Sequence, residues 1–139
     1  MGNTTSTIKH INFEDMQYAI NDTTSIVINT LDEHNQKCLI KNTIAIDKEV
    51  VFLNTQLVKD KSIRIILYGM NACDISVTKK YDQLLGIGFY NVFMYCGGLF
   101  EWLLLQDIYG KELFPTTSDE FDILKYKGRS HFNIKMLQN

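Results

Sequence analysis

No stretch of the sequence approaches the roughly 18 apolar residues that a membrane-spanning helix needs, and its polar N-terminus lacks the apolar segment of a secretory signal. A protein made and kept in the cytosol is therefore expected. Its three cysteines, Cys38, Cys73 and Cys96, are odd in number and have no metal-type spacing, and the three histidines are scattered. That pattern supports neither a disulfide framework nor a metal site, and it suits a reducing compartment. Charge of either sign is not in excess: the net charge is -2 and the pI about 5.9, which gives no electrostatic reason to expect a nucleic-acid partner. Repeats and low-complexity segments are absent, and nothing in the pattern implies a cofactor.

What is present is material for one α/β domain. At 139 residues with 45% hydrophobic content, the chain can bury a sizeable core but is too short for two ordinary domains. Phe13 to Ile20 has the spacing of a short amphipathic helix, ended by the turn residues of Asn21 to Ser25. Ser25 to Leu31 is a β-branched run and reads as a buried strand, and a second strand is expected near Thr43 to Ile46. Val50, Val51, Leu53, Leu57 and Val58 suit one helical face. Arg64 to Gly69 is apolar without alternation, as expected of a central parallel strand covered on both faces. Val77, Tyr81, Leu84 and Leu85 then mark a surface helix, ended by Gly86 and Gly88. Asn91 to Cys96 reads as another strand and Leu99 to Ile108 as a well-packed final helix. Alternation of this kind implies a parallel sheet between helices. Beyond the single proline, Pro115, the chain turns polar with a mild basic bias from Lys125, Lys127, Arg129 and Lys135. This end is either a packed extension or a loose arm.

At the other end, Met1-Gly2-Asn3-Thr4-Thr5-Ser6 fits the pattern in which Gly2 accepts a myristoyl group. A frayed polar tail explains the same residues, and a single acyl chain would hold a membrane only weakly and reversibly.

Two segments carry a resemblance. Gly88-Phe89-Tyr90-Asn91-Val92 followed by Gly97-Gly98-Leu99-Phe100-Glu101-Trp102 matches the closing pattern of the rhodanese-homology domain, and Ser25 to Ile46 follows the order of features in that family's opening stretch. Within the family the chain resembles the rhodanese-like proteins of large DNA viruses and some protists. The resemblance implies a flexible N-terminus over residues 1–9, a rhodanese-like domain over 10–110 and an extension over 111–139. It also implies a five-stranded parallel sheet with helices on both faces, and a site at the C-terminal end of the central strand.

In active members that strand ends in Tyr-Cys, and a loop wraps backbone N–H groups around the sulfur at a helix N-terminus, holding it as a thiolate. Here the strand ends in Tyr68-Gly69, which puts Gly69 at the usual nucleophile position and leaves a slightly longer loop. Asn29 and Leu31 stand where the family shows Asp and Arg, and the loop has no arginine. Gly69, Met70, Asn71, Ala72, Cys73, Asp74, Ile75 and Ser76 form the candidate anion-binding loop, with Asn71, Asp74 or Ser76 available to cap the helix.

Cys73 is the candidate catalytic residue if the loop curls it into the anion pocket, where it would carry a persulfide. The competing reading is a small residue near a helix start, beside Asp74, whose charge repels an anionic donor. A phosphatase arrangement fares worse, since Lys79 and not an arginine stands six residues past Cys73. Cys38 and Cys96 read as inert packing beside strands, and Phe100 and Trp102 as core. The expected function is a catalytically inactive rhodanese-homology module that binds a protein partner or a small anion, the alternative being a sulfurtransferase using Cys73.

Overall fold

The computed structural model describes residues 7–132. Gly2 and its acylation pattern, and Lys135, lie outside the described residues. The chain runs β1 (His10–Ile11), α1 (Phe13–Ala19), β2 (Ser25–Asn29), α2 (Ile46–Lys59), β3 (Arg64–Tyr68), α3 (Ile75–Ile87), β4 (Val92–Tyr95) and α4 (Gly98–Tyr109), with single 3₁₀ turns at Glu33–Asn35 and Ile123–Tyr126. The four strands form one parallel sheet in the order β1-β4-β3-β2. Among the described residues no helix is long and apolar enough to cross a membrane.

Alternation along the strands builds a core on each face. Val27, Ile66, Tyr68 and Tyr95 point to the face covered by Met16 and Ala19 of α1 and by Leu99, Trp102 and Leu103 of α4. Ile28, Ile65, Leu67, Val92 and Met94 point to the other, where Leu53 of α2 and Val77, Tyr81 and Leu84 of α3 pack. The i, i+4, i+7 spacing of Val77, Tyr81 and Leu84 explains why this stretch is helical and which side it buries. In α1, Asn12 caps the helix reciprocally: its Oδ1 accepts from the Asp15 N–H at 3.0 Å, and its own N–H donates to Asp15 Oδ2 at 3.3 Å.

Several sequence expectations change here. The sheet has four strands rather than five, because Thr43 to Ile46 contributes only a parallel bridge between Thr43 and Val27, with the Ile44 N–H donating to the Val27 carbonyl at 2.9 Å. Ile46 already begins α2, so the segment leaves the sheet edge after one pairing. The strand from Ser25 ends at Asn29 rather than Leu31, since Asn29 Oδ1 takes the Leu31 N–H at 3.0 Å. Gly86 lies inside α3 and only Gly88, at φ 121°, ends it. β1 has no sequence signal, being two residues long and held by pairing to Met94 and Tyr95.

One polar pair borders the second core: Glu49 of α2 is buried and ion-paired to the half-buried Lys80 of α3. After α4 the chain returns across the first face. The Trp102 indole donates to the Pro115 carbonyl at 3.1 Å and meets the Phe114 ring edge-on at 5.0 Å. Thr116 bridges to Ile40, and Phe114 and Tyr126 both belong to the core.

Candidate functional site

β3 lies between β2 and β4, so its C-terminal end opens at the middle of the sheet, and the segment after Tyr68 must turn sharply into α3. Asp74 is the N-cap of α3, and its Oδ1 accepts from the Ser76 N–H at 3.0 Å and the Ser76 hydroxyl at 2.6 Å. Its second oxygen reaches back across the loop and accepts from the Met70 N–H at 2.8 Å. The Cys73 N–H is taken by Asn71 Oδ1 at 2.9 Å and the Asp74 N–H by the Asn71 carbonyl at 3.2 Å. A carboxylate of the chain itself thus receives N–H groups that a bound anion would otherwise use.

This carboxylate also fills the space beside Gly69. A Cβ at Gly69 would stand 2.4 Å from Asp74 Oδ2 and 2.6 Å from Val77 Cγ2, closer than such contacts tolerate. A side chain at residue 69 therefore requires Asp74 to move.

The loop is clamped from β4 and α4. The N–H groups of Leu99 and Phe100, in the first turn of α4, donate to the carbonyls of Gly69 at 2.9 Å and Met70 at 2.8 Å. Gly98 permits this approach: it has φ 67°, and a Cβ there would lie 2.8 Å from the Asn71 nitrogen and 2.8 Å from the Gly69 oxygen. The second glycine of the Gly97-Gly98 pair therefore has a local steric reason.

A hydroxyl chain supports the other side. Thr30 Oγ1 and Ser76 Oγ are 2.8 Å apart, and the Thr30 N–H donates to the Tyr68 carbonyl at 2.9 Å. Asn29 is buried, its Oδ1 accepting from the Leu31 N–H at 3.0 Å and Gln36 Nε2 at 2.8 Å, so it shapes the turn after β2. Leu31 is buried and supplies no cation. The Tyr68 hydroxyl accepts from the Ile40 N–H at 3.0 Å and lies 2.8 Å from Thr43 Oγ1. Burial drives the Tyr68 phenol far above its ordinary range, and burial with the adjoining Glu101 carboxylate does the same to Tyr95.

The three thiols have different surroundings. Cys73 is exposed on the loop. Cys38 is buried, and loss of hydration pushes its thiol up. Cys96 was expected to be packed away but is exposed, because it follows the last residue of β4 instead of lying inside the strand. His34 sits in the 3₁₀ turn after β2, and no group of three His, Cys, Asp or Glu among the described residues is placed to hold a metal ion. Among the loop residues, Met70 packs against the core while Ala72 and Ile75 are exposed.

Two features of the site were not read from the sequence. One is the reach of Asp74 to Met70, for which the signal was an Asp two residues before a Ser at a helix start. The other is the C-terminal segment, which crosses the loop: Asn71 Nδ2 donates to the Tyr126 carbonyl at 2.8 Å, and a Cβ at Gly128 would lie 3.9 Å from both Asn71 Oδ1 and Cys73 Sγ.

No protein-family model and no curated protein sequence matches the chain. Solved structures do. A rhodanese-like domain of an Anabaena protein is 19% identical with a TM-score of 0.56, covering 92% of this chain and 92% of its own. A single-domain sulfurtransferase of Saccharomyces cerevisiae is 14% identical with a TM-score of 0.58, covering 77% of this chain and 98% of its own. A yeast protein tyrosine phosphatase of the rhodanese family is 14% identical with a TM-score of 0.57, covering 81% of this chain and 94% of its own. At these identities the likeness is one of fold.

Proposed function

Proceeding from the rhodanese-like fold that this chain shares with those proteins, we propose that it is a binding module without sulfurtransferase chemistry at the usual position. The observation that carries this reading is the Asp74 carboxylate, bonded to the Met70 and Ser76 amides in the place where a side chain at residue 69 would stand. Gly69 offers no nucleophile. The amides of the loop already face a negative charge, which disfavours a second anion there and favours a protein partner over a small anion as the ligand. An acyl chain on Gly2 would add weak membrane association to the same role, and Gly2→Ala would then lower the membrane-bound fraction in cells.

A second reading follows from the exposure of Cys73. In it the Cys73 thiolate attacks the sulfane sulfur of thiosulfate, the S–S bond of the donor breaks, sulfite leaves with the electron pair, and Cys73 holds a persulfide for an acceptor thiol. Intact-mass measurement of reduced protein after incubation with thiosulfate separates the two readings, with Cys73→Ser alongside. The binding reading expects no added sulfur under conditions that load an active rhodanese, and a normally folded Cys73→Ser. A gain of one sulfur on the wild type and none on the variant would establish Cys73 as the nucleophile and overturn it. Sulfate or phosphate titration followed by thermal unfolding tests the small-anion arm, for which no stabilisation is expected.

A further inference from the structure

The C-terminal segment lays a basic strip over the mouth of the loop. From Ile123 to Phe132 the sequence contains Lys125, Lys127, Arg129 and His131 and no acidic residue, in a chain whose net charge is -2. Tyr126 anchors the strip: its side chain is fully buried in the core and its carbonyl accepts from Asn71 of the loop at 2.8 Å. Lys125 is neutralised by Glu120 at 2.6 Å. Lys127 and Arg129 are exposed and have no ion-pair partner among the described residues. Between them Gly128 runs beside Asn71 and Cys73, so the backbone that carries both cations borders the loop. The carboxylate of the loop, Asp74, is bonded inward to Met70 and Ser76. Apolar side chains flank the strip, with Leu124 60% and Phe132 88% exposed.

We infer that this surface, Lys127 and Arg129 over the Asn71–Cys73 edge with Leu124 and Phe132 beside them, docks a short segment of a partner protein carrying acidic and apolar side chains. Charge complementarity selects the occupant: two unpaired cations on an otherwise acidic chain suit a few carboxylates, whereas nucleic acid recruits a broader positive field. The inference rests on the binding reading above and names its partner class.

The test uses the full chain carrying Cys96→Ser, which leaves Cys73 as the exposed thiol, and a fluorescein-labelled peptide of alternating glutamate and leucine as probe. Binding by anisotropy is expected, weakening as salt rises, together with slower reaction of Cys73 with a thiol reagent when the peptide is present. Lys127→Glu with Arg129→Glu is expected to lower affinity about tenfold or more, as reversal of two surface charge pairs implies. Lys48→Glu with Lys59→Glu on α2 changes the net charge equally on the opposite face and is expected to lower it by about threefold at most.

No peptide binding would overturn the proposal. Equal losses in the two double variants would reduce it to net charge, and unprotected Cys73 would place the peptide elsewhere. Tighter binding of single-stranded oligouridylate than of the peptide would make this a nucleic-acid surface and overturn it too. Sulfur loading of Cys73 would remove the reading on which the inference rests while leaving these measurements unaffected, so the two fail separately.

Discussion

Gly69→Ala is the most informative single substitution. Ordinary contact begins near 3.4 Å, so Asp74 Oδ2 must retreat by about 1 Å and Val77 Cγ2 by about 0.8 Å to admit the new methyl. The retreat of Asp74 breaks its 2.8 Å bond to the Met70 N–H, a loss of about 1 kcal/mol. Crowding against the buried, β-branched Val77 adds roughly 1–3 kcal/mol. Replacing glycine restricts the unfolded chain and offsets about 0.4–1 kcal/mol of this. The net expectation is destabilisation of about 2 kcal/mol, a downward shift of the urea midpoint of about 1 M at a typical slope. Trp102, fully buried and edge-on to Tyr95 and Phe114, reports unfolding by fluorescence. Asp74→Ala should itself cost about 1–2 kcal/mol through the lost cap and the freed Met70 amide. In that background the methyl meets only Val77, so Gly69→Ala should cost about 1 kcal/mol less than in the wild type, beyond the scatter of independent sites. Equal cost in the two backgrounds, or a higher midpoint for Gly69→Ala alone, would refute the placement of Asp74 in the space beside residue 69.

Gly98→Ala should be more damaging, above about 2 kcal/mol, because its φ of 67° and its contacts with the Asn71 and Gly69 backbone leave no side chain to yield; thermal unfolding close to the wild-type midpoint would contradict the clamp. Asp22→Asn tests a pH dependence. Hydrogen bonds from the Ser25 and Thr24 hydroxyls and the Thr24 N–H, with Arg64 nearby, hold the Asp22 carboxyl below its ordinary value. Its stabilising effect is therefore full above the ordinary carboxylate range and lost as pH falls through the lower folded-state value. The variant should unfold earlier than the wild type at neutral pH, and the gap should close as pH drops below roughly 4. A gap that widens in acid would reverse the sign of the argument.

The parts of the fold that were legible in the sequence are those whose signal is periodic over several residues. The Val77, Tyr81, Leu84 stripe and the unbroken apolar run from Ile65 to Tyr68 depend on burial alone. At Thr43 the β-branched residues suit a strand, while the single pairing before α2 is decided by neighbouring elements. The burial of Glu49 leaves no signal in its own segment for the related reason that its partner, Lys80, comes from another helix. At the site, a glycine directly after the end of β3 follows from the apolar run that stops at Tyr68. The position of Asp74 could not, since an Asp before a helix announces a cap and not a bond made four residues back. The crossing of Tyr126 over Asn71 joins residues far apart in sequence through a backbone carbonyl, which leaves no compositional trace.

The two amides that α4 gives to the loop have a consequence for motion. Ordinarily the first N–H groups of a helix face water and exchange rapidly. Those of Leu99 and Phe100 are closed off by the carbonyls of Gly69 and Met70, so they can exchange only when the loop lifts from the helix or the domain opens more widely. Their deuterium uptake is thus a clock for loop opening, readable without a ligand, a substrate or a mutation.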